Sequence, residues 1–196
     1  VGGANRQQSP LNEGEVAMST YLSSAIKAAK GAAELLRAEF GRDHSVEEAM
    51  PNDLKLALDV KIQELITDRL LTEHPDHAIL GEEGVAGEES SPFRWIVDPI
   101  DGTVNFFYGI PHFAVSIALE EDEETRLGVI VDPMQREQWS VDTSGVPELN
   151  GTPIRTSSRS TLAEAIVMLG FAKSPDKIDD GMRRYRAIAP RVRKVR

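Results

Sequence analysis

Two carboxylates and a glycine–threonine turn stand together in the run Val97-Asp98-Pro99-Ile100-Asp101-Gly102-Thr103-Val104-Asn105-Phe106-Phe107. Those residue types at that spacing point to a metal-dependent phosphate site. Carboxylate and carbonyl oxygens suit hard cations such as Mg2+, and backbone amides at the start of a helix attract phosphate. Pro99 fixes its own φ and drives Asp98 out of helical geometry. The apolar strand over residues 93–97 is therefore expected to stop at Asp98, and the backbone to curl before a short helix opens at Gly102-Thr103. Acids three apart can then face one point. A bare D-x-x-D says little among 32 acidic residues, so it is the context that carries the reading. A second acidic turn, Gly81-Glu82-Glu83-Gly84, follows another short apolar run. Glu82 and Asp98 are both expected at strand ends, converging on one cation to which the Ile100 carbonyl adds a neutral oxygen.

Spacing excludes two rival chemistries. A calcium loop opening at Asp98 needs a glutamate at its twelfth position, which is Gly109. Phosphatases of the haloacid dehalogenase type also place two acids and Gly-Thr after a strand. Their acids are two apart rather than three, so a covalent aspartyl nucleophile is not expected.

These groups need rigid elements to position them. Over residues 15–40, Leu22, Ile26, Ala29, Ala33, Leu36 and Phe40 recur at helical spacing, and Gly41 is placed to stop the helix. A loop through Met50-Pro51 is expected next. Asn52 or Asp53 then caps a second helix that ends at His74-Pro75. On that helix Asp59 points within about 20° of Ile66 and Leu70, an apolar side where a carboxylate needs a partner. Short apolar runs at 78–80, 94–97, 113–119, 127–131 and 138–141 read as strands, with turns at 120–125 and 132–134. Asn150-Gly151 is a hairpin signal. One more strand is expected at 165–169, and a helix over 176–189 ended by Pro190. The pattern predicts an α+β fold, a helix pair packed on a largely antiparallel sheet.

The 196-residue chain is 40% hydrophobic with a net charge of −10, enough for a sizeable core in one domain or one and a half. The acidity argues against nucleic acid as a partner and suits a protein that gathers cations. Zero cysteines exclude disulfides and thiolate chemistry and fit a cytoplasmic location. No run approaches the ~20 apolar residues of a membrane span. Residues 1–14 read as a disordered or tag-derived lead, residues 15–150 as an N-terminal α+β subdomain, and residues 151–196 as the start of a C-terminal α/β portion.

Other features are read as structural. His74 and His77 flank Pro75-Asp76 without a third ligand and are expected in a solvated loop. The basic residues Arg183, Arg184, Arg186, Arg191, Arg193, Lys194 and Arg196 are expected on one helix face and a connecting strand. Trp95, Phe106, Phe107 and Phe113 are expected to pack inside, with Tyr108 bordering the substrate entrance.

The run Trp95-Ile-Val-Asp-Pro-Ile-Asp-Gly-Thr-Val-Asn-Phe106, followed by Gly109-Ile110-Pro111, resembles the signature of the inositol monophosphatase family. Leu80-Gly81-Glu82-Glu83 resembles that family's glutamate motif. The strand at 113–119, Asn150-Gly151 and the helix bearing Asp59 follow in the family's order, over residues 15–196. The resemblance implies a layered α/β sandwich of the sugar-phosphatase type. It further implies a lithium-sensitive, Mg2+-dependent hydrolase acting on inositol 1-phosphate or a similar small polyol phosphate, commonly as a homodimer.

In that pattern Glu82, Asp98 and the Ile100 carbonyl bind a first Mg2+, and Asp101 joins Asp98 on a second. Asp59 and Thr103 orient the attacking water, and the Gly102 and Thr103 amides hold the phosphate. The full family site takes two or three ions. A Trp-Asp dipeptide supplies a further ligand in the family's C-terminal portion, whereas Trp95 and Trp139 here precede Ile96 and Ser140. The family's basic residue before the second helix also has no counterpart, since residues 45–50 hold Glu47 and Glu48. The alternatives are a noncatalytic acidic binding or dimerisation module, or a phosphatase for histidinol phosphate, 3′-phosphonucleotides or fructose bisphosphate.

Overall fold

The computed structural model describes residues 13–44, 46–49, 54–143, 145–170 and 174–196. They belong to two compact units that divide between Ile154 and Arg155. Most of the expected lead, and the expected caps Asn52 and Asp53 with Met50-Pro51, lie outside the described residues, whereas Glu13 and Gly14 already belong to the first helix.

In the first unit α1 (Glu13–Glu39) buries Ala25, Ala28, Ala29, Ala32, Ala33 and Leu36. This stripe of small side chains at helical spacing lets the helix lie close on a sheet. Gly41 ends it at φ +80, a left-handed conformation suited to glycine. The expected loop after it contains a hairpin, β1 (Val46–Ala49) antiparallel to β2 (Leu54–Leu56). Because Leu54–Leu56 is engaged in that pairing, α2 (Ala57–Glu73) starts later than Asn52 or Asp53 would have placed it.

The strands β3 (Ala78–Gly81), β4 (Gly84–Gly87), β5 (Phe93–Asp101), β6 (Ala114–Glu121), β7 (Glu124–Asp132), β8 (Glu137–Asp142), β9 (Glu148–Leu149) and β10 (Thr152–Pro153) form one sheet. Its order is β10-β9-β8-β7-β6-β5-β3-β4, antiparallel throughout except where β3 runs parallel to β5. Period-two alternation puts Trp95, Val97, Val115, Ile117, Leu119, Leu127, Val129 and Val131 on one buried face, against α1 and α2. Leu80, Ile130 and Val141 are exposed. Two-residue turns with positive φ at Asp122-Glu123 and Asn150-Gly151 close hairpins, as the right-handed twist of paired strands favours. The α+β architecture expected from the pattern is the one observed.

One expectation fails at the centre. The strand does not stop at Asp98. It continues as β5 to Asp101, with Asp98 opposite Ser116 and Asp101 opposite Ala114. Three steps on β5 face two on β6, so the extra residue is a bulge that absorbs the donor Pro99 lacks. The short helix α3 (Thr103–Phe107) follows directly.

In the second unit the expected strand reduces to β11 (Ile166–Val167), parallel to β12 (Lys194–Val195). Helix α4 (Pro175–Ile188) runs into a tight turn at Ala189–Arg191 containing Pro190. On α4, Arg183 and Arg184 both pair with Asp180.

Candidate active site

Because β3 and β5 are parallel neighbours, their C-terminal ends emerge at the same edge of the sheet. Gly81 is level with Val97, and the Glu82 N–H donates to the Val97 carbonyl at 3.1 Å, setting Glu82 beside Asp98. Burial, then the negative fields of Glu82 and Asp101 and a side-chain hydrogen bond shared with Glu82, push the Asp98 carboxyl up to about 7, against a hydrogen bond from the Ile100 amide. Its Oδ1 is buried with no hydrogen-bond partner. A buried polar oxygen left in this state normally costs about 1–3 kcal/mol. Asp101 itself is exposed, and it shares the wall of a cavity with Gly102, Asn105, His112 and Gln135.

Asp59, 2% exposed, enters from the first turn of α2. The Leu56 N–H donates to its Oδ2 at 2.7 Å, and Thr103 Oγ1 lies 3.4 Å from its Oδ1. Burial outweighs these bonds and raises its pKa to about 6, with Glu83 and Glu82 adding to the rise. The expected partner of Asp59 is therefore chiefly the Leu56 amide. The Thr103 hydroxyl donates to the Ile100 carbonyl at the shorter distance of 2.9 Å, and that carbonyl keeps a second lone pair.

Gly102 caps α3 at φ +97, with His112 O at 3.1 Å and Phe113 Cβ at 3.3 Å from where a Cβ would sit. Conformation and close packing both call for glycine there. Asp59, Glu82, Asp98, Asp101 and the 100–103 turn thus lie together at one end of β3, β5 and α2.

Among the described residues, no group of three or more His, Asp or Glu side chains stands close enough together to hold a metal ion. The arrangement is an open acidic corner centred on Asp98. Its donors are all oxygens, the set that suits Mg2+, and the partnerless Asp98 Oδ1 is an oxygen that a cation would satisfy. The fit to a hard divalent ion lies in this donor chemistry and in the unpartnered oxygen, not in an assembled cluster of ligands.

The solvated-loop expectation for the histidines fails. His74 and His77 are 9% and 6% exposed and stack at 5.0 Å, with His77 also stacked on Phe93 at 4.8 Å. His74 Nε2 lies 2.9 Å from Ser24 Oγ. The aromatic rings of Tyr21, Phe93 and Trp95 offer these imidazoles more contact than water would. Trp95, Phe106 and Phe113 are buried as expected, while Phe107 is 37% exposed and stands edge-on to Tyr108.

The profile of the inositol monophosphatase family matches residues 17–194. This chain belongs to that family. It is 35% identical over 168 residues to the Nus factor SuhB of Pseudomonas aeruginosa, covering 83% of this chain and 62% of that protein. It is 34% identical over 159 residues to an inositol-1-monophosphatase of Rhizobium meliloti, covering 79% and 59%. This member of the family thus spans about 60% of the length of the curated relatives it matches.

Among solved family structures, extragenic suppressor protein SuhB of Bartonella henselae superposes with a TM-score of 0.84 at 30% identity, over 90% of this chain and 69% of that one. The Thermotoga maritima IMPase gives 0.80 at 31%, over 90% and 67%.

Two groups near the acidic corner escaped sequence reading. The Leu56 amide left no signal, because a backbone donor has none. Gln63 did leave one: it stands four residues after Asp59 on the same side of α2 as Ile66 and Leu70, a second polar residue on an apolar face.

Proposed function

We propose that this chain carries the metal-binding part of a Mg2+-dependent phosphomonoesterase acting on inositol 1-phosphate or a similar small polyol phosphate. The observation that supports it most is the buried, partnerless Asp98 oxygen between Glu82 and Asp101, in a chain of the inositol monophosphatase family. Glu82, Asp98 and the Ile100 carbonyl would hold one Mg2+, and Asp98 with Asp101 a second. Bound there, the cations neutralise phosphate charge and acidify water.

The chain's own groups do the rest. The Gly102 and Thr103 amides face the phosphate and take up charge that develops on its oxygens. Thr103 Oγ1 and the Asp59 carboxylate orient the attacking water. With a pKa of about 6, Asp59 is ionised at neutral pH yet basic enough to accept a proton from that water. The oxygen of water replaces the alcohol on phosphorus without a phosphoenzyme. Lithium inhibition, homodimer assembly and a cytoplasmic location belong to the same reading. Among the described residues no helix is long and apolar enough to cross a membrane.

The test is phosphate release from inositol 1-phosphate with Mg2+ and with EDTA. Release that requires Mg2+ is expected. Release undiminished by EDTA, or a panel of polyol phosphates left intact by the full-length protein, would overturn the reading.

A further inference from the structure

Gln63 is 8% exposed on the core-facing side of α2, but its carboxamide does not stay in the hydrocarbon. The Glu83 N–H donates to Gln63 Oε1 at 2.8 Å, and Gln63 Nε2 donates to the Gly84 carbonyl at 3.1 Å. A turn offers one donor and one acceptor to whatever lies against it. A neutral carboxamide is the side chain that answers both without bringing charge into a corner already crowded with acids.

The turn so held contains Glu82, whose own N–H is fixed to Val97 O. Glu82 is exposed and reaches the Asp98 carboxyl, with which it shares a hydrogen bond; once both are ionised that contact is repulsive, and a freely solvated turn would relax away from it. Gly81 completes the fit. A Cβ there would overlap the Gln63 carboxamide, and Gly81 has no positive φ. It is the smallness of glycine that this site uses, not its conformational freedom.

We infer that Gln63 is a positioning residue for Glu82: its two hydrogen bonds strap the β3–β4 turn to α2 and hold the Glu82 carboxylate beside Asp98, with Gly81 making room. The inference rests on the metal-site reading above. Gln63 touches neither cation nor substrate. It sets where one ligand stands, as outer partners of metal ligands do, and losing such a partner typically lowers metal affinity about 10- to 100-fold.

Mg2+ affinity is to be measured by calorimetry on the whole chain, on Gln63→Met, on Gly81→Ala and on the double variant, with thermal unfolding in EDTA alongside. Gln63→Met keeps length and packing. Each single variant is expected to bind Mg2+ about 10-fold or more weaker with melting little changed. The double variant is expected to be no worse than either, because both break one clamp. Folded single variants that bind Mg2+ like the parent would overturn the role of Gln63 while leaving the metal site standing. A parent chain that binds no Mg2+ would overturn the metal-site reading itself. Should Gln63→Met fail to fold, amide exchange in the parent decides: the Glu83 N–H is expected to be protected, and exchange at a free-peptide rate would overturn the clamp.

Discussion

The parallel strands β3 and β5 connect two clusters of ionisable groups that have opposite characters. At their N-terminal end His74 and His77 pack among Tyr21, Phe93 and Trp95. At their C-terminal end Asp98 stands by Glu82 and Asp101, with Asp59 close to Glu83 and Glu82. Burial keeps the imidazoles neutral, lowering His77 to about 4 and shifting His74 the same way. Burial and like charge also favour the neutral form of Asp98 and Asp59. Each end leaves a buried polar atom without a hydrogen-bond partner, His77 Nδ1 and Trp95 Nε1 among the rings and Asp98 Oδ1 among the acids; what differs is that the acidic end also crowds like charges together. Packing explains the first cluster. The second makes chemical sense when a cation is added.

Substitutions should separate the two ends. Asp98→Asn is expected to lower phosphate release about 10^3-fold or more, several kcal/mol of transition-state stabilisation. Its unfolding free energy in EDTA should not fall, because a like-charge contact is relieved. A loss of stability matching the loss of activity would make Asp98 a structural residue.

Trp95→Ala at the histidine end is expected to do the reverse, costing about 3–5 kcal/mol in urea unfolding while the folded fraction keeps its Mg2+ affinity. Fully buried Trp95 contacts the Tyr21, His74 and His77 rings, so a large cavity is unavoidable.

The pH dependence of stability should differ in sign. A histidine with a lowered folded pKa is protonated more readily when unfolded. His77 therefore contributes stability that is fully present above pH 6.5 and is lost as pH falls from 6.5 towards 4, on the order of 3 kcal/mol. His77→Phe should flatten that acid limb in denaturant melts. Asp59 has a raised folded pKa, so its ionisation lowers stability as pH rises from 3.8 to about 6. Asp59→Asn should accordingly raise stability at pH 7.5 in EDTA by about 1–3 kcal/mol, and a fall would mean that its bond to the Leu56 amide outweighs its burial.

The smallest effect is expected at neither end. Arg94 and Glu120 pair at 2.7 Å across β5 and β6 with the arginine 42% exposed, and Arg94→Ala should cost under about 1 kcal/mol.

Much of this layout was legible in the sequence because it repeats. The stripe of α1 and the alternation of β5 to β7 follow helical and two-residue periods, and Asn150-Gly151 signals its turn by residue type alone. The bulge at 98–101 was not legible. Pro99 signals a disturbed strand, but whether a strand ends or bulges depends on the partner β6, which residues 97–103 do not contain. The β1–β2 hairpin was missed for the same reason: a three-residue strand exists only through its pairing.

Residue type and spacing singled out Glu82, Asp98, Asp101 and Asp59, the acids that the fold gathers at one corner, since carboxylates near turns or on an apolar face are conspicuous. The misreading of His74 and His77 came from treating polar residues near a proline as solvated. Their burial depends on Tyr21 and Phe93, which are distant in sequence and brought close only by the fold.

The contrast between the two ends is tested most directly by Mg2+ calorimetry on the parent chain, Asp98→Asn and His77→Phe in one buffer. Saturable binding to the parent and to His77→Phe, with no binding to Asp98→Asn, is the predicted result. Equal binding to the parent and Asp98→Asn, or weakened binding in His77→Phe alone, would contradict it.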